Sequence, residues 1–120
     1  MDRIFTVEEA RSLMPQVRRL VAELVAIRAD LAELGHDLRG GVRSPLGGLP
    51  EAKAMEAHVA EILGWFDEQG IELKGIAPVL VDFPAVLDGV SVRLCWIEGE
   101  TELGWYHRAD LGFPGRRRLP

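Results

Sequence analysis

The sequence predicts an α+β fold, with an N-terminal antiparallel helical hairpin packed on a small C-terminal antiparallel β-meander. Three observations predict it. Apolar residues step by 3 and 4 through the first half of the chain, the period falls to 2 after Gly70, and glycine turn signals divide the second half. The 120 residues fit one domain spanning 1–120, long enough to bury a core.

The first helix opens at Thr6-Val7-Glu8-Glu9, a capping box in which Thr6 and Glu9 satisfy each other's backbone N–H groups. Ala10, Leu13, Val17, Leu20, Leu24, Ile27, Leu31 and Leu34 then form a heptad seam with coiled-coil spacing. Pro15 falls beyond the first turn and predicts a kink. Gly35 predicts the helix end, followed by a mobile glycine-rich loop over 35–49. A second helix runs from about Pro50 to Gln69, with Ala52, Met55, Val59, Ile62 and Phe66 as its stripe and Gly70 as its cap. The helical hairpin thus occupies 6–69.

The meander occupies 71–107. Ile71–Lys74 is a short strand, Val79–Phe83 a second ended by Pro84, Val90–Ile97 a third and Glu102–His107 a fourth. Asp88-Gly89 is a strong hairpin turn. Reading Gly99-Glu100 as a second two-residue turn pairs Phe83 with Leu94, Val81 with Trp96, Leu94 with Trp105, Trp96 with Leu103 and Val92 with His107. This large apolar face meets the helices. Asp82, Arg93, Cys95, Ile97, Glu102, Gly104 and Tyr106 then share the other face, with Gly104 leaving a shallow hollow beside Cys95. The tail 108–120 is irregular.

Hydrophobic residues make up 48% and charged residues 28%, a globular balance that excludes disorder for most of the chain. The net charge of -5 argues against nucleic-acid or anionic-membrane binding by the whole domain. The single cysteine, Cys95, excludes an internal disulfide and a thiolate zinc cluster. The opening residues lack a secretory pattern and no apolar run reaches membrane-spanning length, so the expected location is the cytoplasm.

His107 is the most suggestive titratable residue, as a general acid–base, a metal ligand, or a half-buried strand-end histidine. His107, Asp110 and Glu102 are a weak divalent-metal set, and no metal or cofactor is assigned. Cys95 paired with His107 would make a nucleophile and base, but the register puts them on opposite faces. Asp82, anomalous in an apolar strand, either pairs with Arg93 or anchors a ligand in the hollow. His36 and His58 are expected to face solvent. Trp65, Trp96 and Trp105 read as core, with no basic groove to make them a base-stacking platform. Gly112 and Gly115 allow tight turns, Phe113 is expected to plug back into the core, and Arg116 to reach a carboxylate, Asp82, Glu98 or Asp110, or an anionic ligand. Arg116-Arg117-Arg118 reads as a solvated tail, with RNA contact as the minor alternative.

The opening FTVEEARSLMPQVRRL, the central GIELKG and LVDFPA, the segment LCW followed by GE, and the ending WYHRADLGFPGR together resemble a bacterial family catalogued as domain of unknown function 2203. The likeness covers nearly the whole chain and includes Pro15 of the opening helix. It implies that His107, Asp110, Gly112, Phe113, Gly115 and Arg116 are the residues to test, with Tyr106 standing where the family pattern has tryptophan. It implies no reaction.

Two functional readings follow. The first is a non-catalytic interaction or assembly domain acting as a homodimer. Its contact would be the seam Leu13, Val17, Leu20, Leu24, Ile27 and Leu31, which is longer than the meander can cover. The alternative is an enzyme or small-ligand-binding domain with a site around His107, Asp82, Asp110 and Arg116, closed by the 35–49 loop.

Overall fold

A computed structural model describes residues 3–120. Two helices precede a five-stranded antiparallel sheet whose strand order follows the sequence, β1-β2-β3-β4-β5. The elements are α1 (Val7–Arg39), α2 (Leu49–Gln69), β1 (Glu72–Ile76), β2 (Val79–Leu87), β3 (Val90–Ile97), β4 (Trp105–Arg108), a 3₁₀ turn at Phe113–Gly115 and β5 (Arg117–Arg118). The α+β layout is the predicted one. Among the described residues no helix is long and apolar enough to cross a membrane.

The capping box forms as the sequence requires: Glu9 N–H donates to Thr6 Oγ1 and Thr6 N–H to Glu9 Oε1, both at 3.0 Å. Helix α1 then runs unbroken through Pro15. The proline is exposed, so the Arg11 carbonyl that it leaves without a helical partner can be solvated. The helix also runs through Gly35 and stops only at Gly40. A mid-helix glycine costs about 1 kcal/mol relative to alanine. Leu34, fully buried, anchors this turn, and His36 and Arg39 suit the negative end of the helix dipole. The connecting loop shrinks accordingly to residues 40–48.

On α1 the fully buried residues are Ala10, Met14, Val17, Val21, Leu24 and Leu34. Met14 and Val21 take the places expected of Leu13 and Leu20. Those two, with Ile27 and Leu31, are half-buried. Both stripes are apolar, and spacing alone did not say which flank of the helix the sheet would choose.

Helix α2 buries Ala52, Ile62 and Phe66, and Glu51 reaches back to accept from the Gly48 N–H at 2.7 Å. Its end is built by Gly70, whose φ of 75° is left-handed. Ile71 N–H then donates to the Phe66 carbonyl at 3.0 Å, a Schellman closure that buries Ile71 and points the chain into β1.

The first hairpin has the predicted register, with Phe83 opposite Leu94 and Val81 opposite Trp96. Asp88 and Gly89 both have positive φ, as a two-residue primed turn requires. Strand β2 continues through Pro84 to Leu87 instead of ending there. Strand β1 pairs only as far as Asp82, and beyond it β2 meets on that side a single isolated bridge, Phe5 with Ala85. The Pro84 carbonyl accepts from Phe5 N–H at 2.7 Å, and a proline at such an edge forfeits no ladder bond.

The inner face of the sheet carries Val79, Val81, Phe83, Ala85, Val92, Leu94 and Trp96, all buried against Ala10, Met14, Val17, Val21 and Leu24 of α1 and Ile62 and Phe66 of α2. Phe5 meets Phe83 edge to face at 5.3 Å. Arg28 of α1 holds Glu98 at the end of β3 with a contact of 2.6 Å, and Glu98 also accepts from Val79 N–H at 2.7 Å. The molecule measures 56 × 26 × 23 Å, because the 33-residue α1, about 50 Å long, outruns the sheet.

Candidate functional site

The second hairpin departs from its predicted register by one residue. Strand β4 pairs Arg93 with His107, Leu94 with Tyr106 and Cys95 with Trp105. The cause is Glu100. Its carboxylate accepts from Ile97 N–H at 2.9 Å, and its carbonyl accepts from Trp96 Nε1 at 3.0 Å. A tight hairpin would place a cross-strand carbonyl opposite Ile97. Here the side chain takes that role, and the connection becomes seven residues, 98–104, before β4 begins. Two corrections follow. Trp105 lies on the outer face instead of in the core. His107 moves to the same face as Asp82 and Cys95.

Asp82, Cys95 and His107 are consequently neighbours on three adjacent strands. Asp82 and His107 are the buried polar residues of the described chain, and Cys95 is 1% exposed. His107 Nε2 lies 3.4 Å from Asp82 Oδ2. Its Nδ1 lies 2.8 Å from the Arg108 carbonyl, an atom that only accepts, so Nδ1 carries a proton. Burial pushes the Asp82 carboxyl above the usual carboxylate range, partly offset by His107. Burial, and then the charge of Asp82, push the Cys95 thiol up to about 12. The Arg116 guanidinium offsets this only in part, so Cys95 is a neutral thiol and a poor nucleophile.

Arg93, expected to pair with Asp82, instead pairs across the outer face with Glu72 of β1 at 2.8 Å. Glu72 sits opposite Asp82 in the ladder and also holds Lys74 at 3.4 Å. Over the cluster lies a hollow of about 250 Å³, lined by Lys74, Leu80, Asp82, Arg93, Cys95, His107, Ala109, Gly112 and Phe113. It is smaller than the roughly 300–1,000 Å³ of drug-sized pockets, so its occupant is small. A wider depression of about 940 Å³ runs between Arg3, the end of α2 and β1, but none of its polar lining residues is buried.

The tail forms one wall of the hollow. Gly112, at φ 72°, turns the chain back over the outer face, and Phe113 lines the hollow at 40% exposure instead of entering the core. Arg116 is docked. Its guanidinium stands 4.8 Å from the rings of both Trp105 and Phe113, and its Nη2 donates to Glu100 Oε1 at 2.7 Å and to the Cys95 carbonyl at 3.2 Å. Glu100 is thus the carboxylate that Arg116 reaches, not Asp82, Glu98 or Asp110. Arg117 and Arg118 are exposed.

Of the residues singled out in the sequence, His107 and Asp82 are brought together, and Arg116 supports the wall. Asp110 lies outside the hollow. It is exposed and paired with Arg108 at 2.6 Å, whose guanidinium holds its carboxyl below the usual range. Glu102, His36 and His58 are exposed. The three metal-capable side chains that converge are therefore Asp82, Cys95 and His107, whose ligand atoms all lie within 4.8 Å of one another. The loop at 40–48 does not cover the hollow, since none of its residues is among those lining it. Sequence reasoning missed the roles of Glu72, Lys74, Glu100 and Ala109. Alternation in β1 put Glu72 and Lys74 on one face, but nothing fixed which face until β1 was paired.

Fold and site together define an α+β protein whose helical hairpin covers one face of a meander while an acid, a thiol and an imidazole are buried on the other. The chain belongs to the family described as uncharacterized conserved protein (DUF2203), which matches residues 3–119. No curated protein and no solved structure matches it.

Proposed function

We propose that the protein binds a small polar ligand in the hollow on the outer face of the sheet, engaging it through Asp82 and His107. The observation that carries this reading is the burial of these two side chains together at the floor of an open cavity. Taking a carboxylate and an imidazole out of water costs stability that apolar packing of the same volume would not, and a buried, perturbed titratable pair in a cleft marks a candidate functional site. The inner face of the same sheet is wholly apolar in its central strands. Asp82, with its raised pKa, is also suited to exchange a proton with a bound molecule, which is the enzymatic form of this reading. Arg116 positions the Phe113 wall, and Asp110 steadies Arg108, next to the carbonyl that orients His107.

The test is a set of small carboxylates, phosphates and amino acids titrated into ¹⁵N-labelled protein. Binders are expected to shift the amides of Asp82, Cys95, His107, Gly112 and Phe113. Binders that shift only residues elsewhere, or a set without a single binder, would count against the reading.

Assembly as a homodimer is the second reading. It is supported by Leu13, Leu20, Ile27 and Leu31, which α2 and the sheet leave half-covered along an α1 that outruns the sheet. Light scattering at micromolar concentration is expected to give twice the 13.3 kDa chain mass, and a monomer at every concentration would remove this reading.

A further inference from the structure

The cluster in the hollow has an electrostatic peculiarity that identifies its ligand more narrowly. The Arg108 carbonyl holds the proton of His107 on Nδ1. In a neutral ring, Nε2 then offers a lone pair, and that lone pair faces the Asp82 carboxylate at 3.4 Å. Unless a proton or a metal ion lies between them, two electron-rich atoms are held against each other, with the Cys95 sulfur within 4.8 Å of both. The arrangement calls for a positive charge at its centre. We propose that Asp82, Cys95 and His107 form a binding site for a first-row divalent metal ion, best suited to zinc, with the fourth position of the ion open to the hollow.

Three further observations favour a metal over a proton alone. Zinc holds nitrogen and oxygen ligands at about 2.0–2.2 Å, and two such ligands at a tetrahedral angle stand about 3.4 Å apart. That is the separation found between Nε2 and Oδ2. The Nδ1–H donated to a backbone carbonyl is the outer support that metal-bound histidines use to fix their tautomer. The ligands also sit on three adjacent strands hydrogen-bonded to one another, so the backbone holds them without help from a loop. One sulfur, one nitrogen and one oxygen donor suit zinc, and exclude magnesium and calcium, which prefer oxygen alone. On binding, the sulfur coordinates as thiolate and its proton leaves to solvent. The ligand set differs from the His107, Asp110 and Glu102 grouping suggested by the sequence, because only His107 of those is turned inward.

This proposal rests on the hollow being a ligand site and names the ligand class. The test uses chelator-treated full-length protein titrated with Co²⁺ and then Zn²⁺. One equivalent of Co²⁺ is expected to bind, with intense visible bands of a tetrahedral site and a near-ultraviolet sulfur-to-cobalt band, both bleached by one equivalent of Zn²⁺. Cys95→Ser should remove the sulfur band and weaken binding at least tenfold, and His107→Gln should weaken it similarly. Circular dichroism establishes that each variant is folded, and His58→Gln, at an exposed histidine of α2, should bind as the unaltered protein does. Absence of binding at micromolar metal, or binding unchanged in Cys95→Ser and His107→Gln, would overturn the proposal. If the metal fails while small-molecule shifts still map to the hollow, the metal alone falls; if both fail, the ligand reading falls with it.

Discussion

At the residue scale, Glu98 shows how one side chain joins the helical layer to the sheet. Its carboxylate receives Arg28 from α1 and the Val79 N–H from β2. The Arg28 hydrogen bond first, and the Val79 amide second, hold its pKa below the usual carboxylate range. The unfolded chain therefore binds more protons than the folded one as the pH falls through the acid range. The contribution of Glu98 is present above its unfolded pKa and is lost as pH falls through the depressed folded value. Glu98→Gln should accordingly lower the melting temperature at neutral pH, and the gap from the unaltered protein should close on acidification. A gap that stayed constant from pH 7 to strongly acid solution would show that the charge itself contributes nothing. Glu100 makes the complementary point. Its backbone N–H closes a turn on the Ile97 carbonyl at 3.1 Å, centred on Glu98-Gly99 instead of the expected Gly99-Glu100, and its side chain sets the register of the next strand.

At the element scale, what was legible in the sequence was whatever periodicity and local turn chemistry determine. The Asp88-Gly89 hairpin is a two-residue turn between strands of unambiguous alternation, and its register followed. The α2 stripe and its Gly70 cap were equally readable. Three features were not, each because a tertiary contact overrode a local preference. Gly35 failed to stop α1 because the turn beside it is anchored by Leu34. Pro84 failed to end β2 because β1 had already ended. The β3–β4 connection lengthened because Glu100 satisfied Ile97. The last had the largest effect on the site. One residue of slip moves every side chain of β4 to the other face, and that hid the meeting of His107 with Cys95. A prediction belongs here. Gly70 has left-handed φ, and a Cβ on it would stand 2.9 Å from Cβ of Arg3. Gly70→Ala should cost at least about 1 kcal/mol. A urea midpoint unchanged in that variant would contradict the account of how α2 hands the chain to β1.

At the scale of the whole molecule, the two faces of the sheet have divided their roles. One is apolar, sealed by the hairpin and responsible for stability. The other buries an acid and an imidazole under a hollow walled by a docked tail. If that second face exists for binding, its polar pair should be dispensable for folding. The most direct test is the thermal stability of metal-free protein carrying Asp82→Leu together with His107→Phe, changes for which the 250 Å³ hollow leaves room. Replacing a buried polar pair by apolar groups is commonly neutral or stabilising. The account predicts a melting temperature equal to or above that of the unaltered protein, with loss of ligand binding in the hollow. A fall of more than about 5 °C, roughly 1 kcal/mol in a domain of this size, would mean that Asp82 and His107 hold the fold together and would contradict the claim.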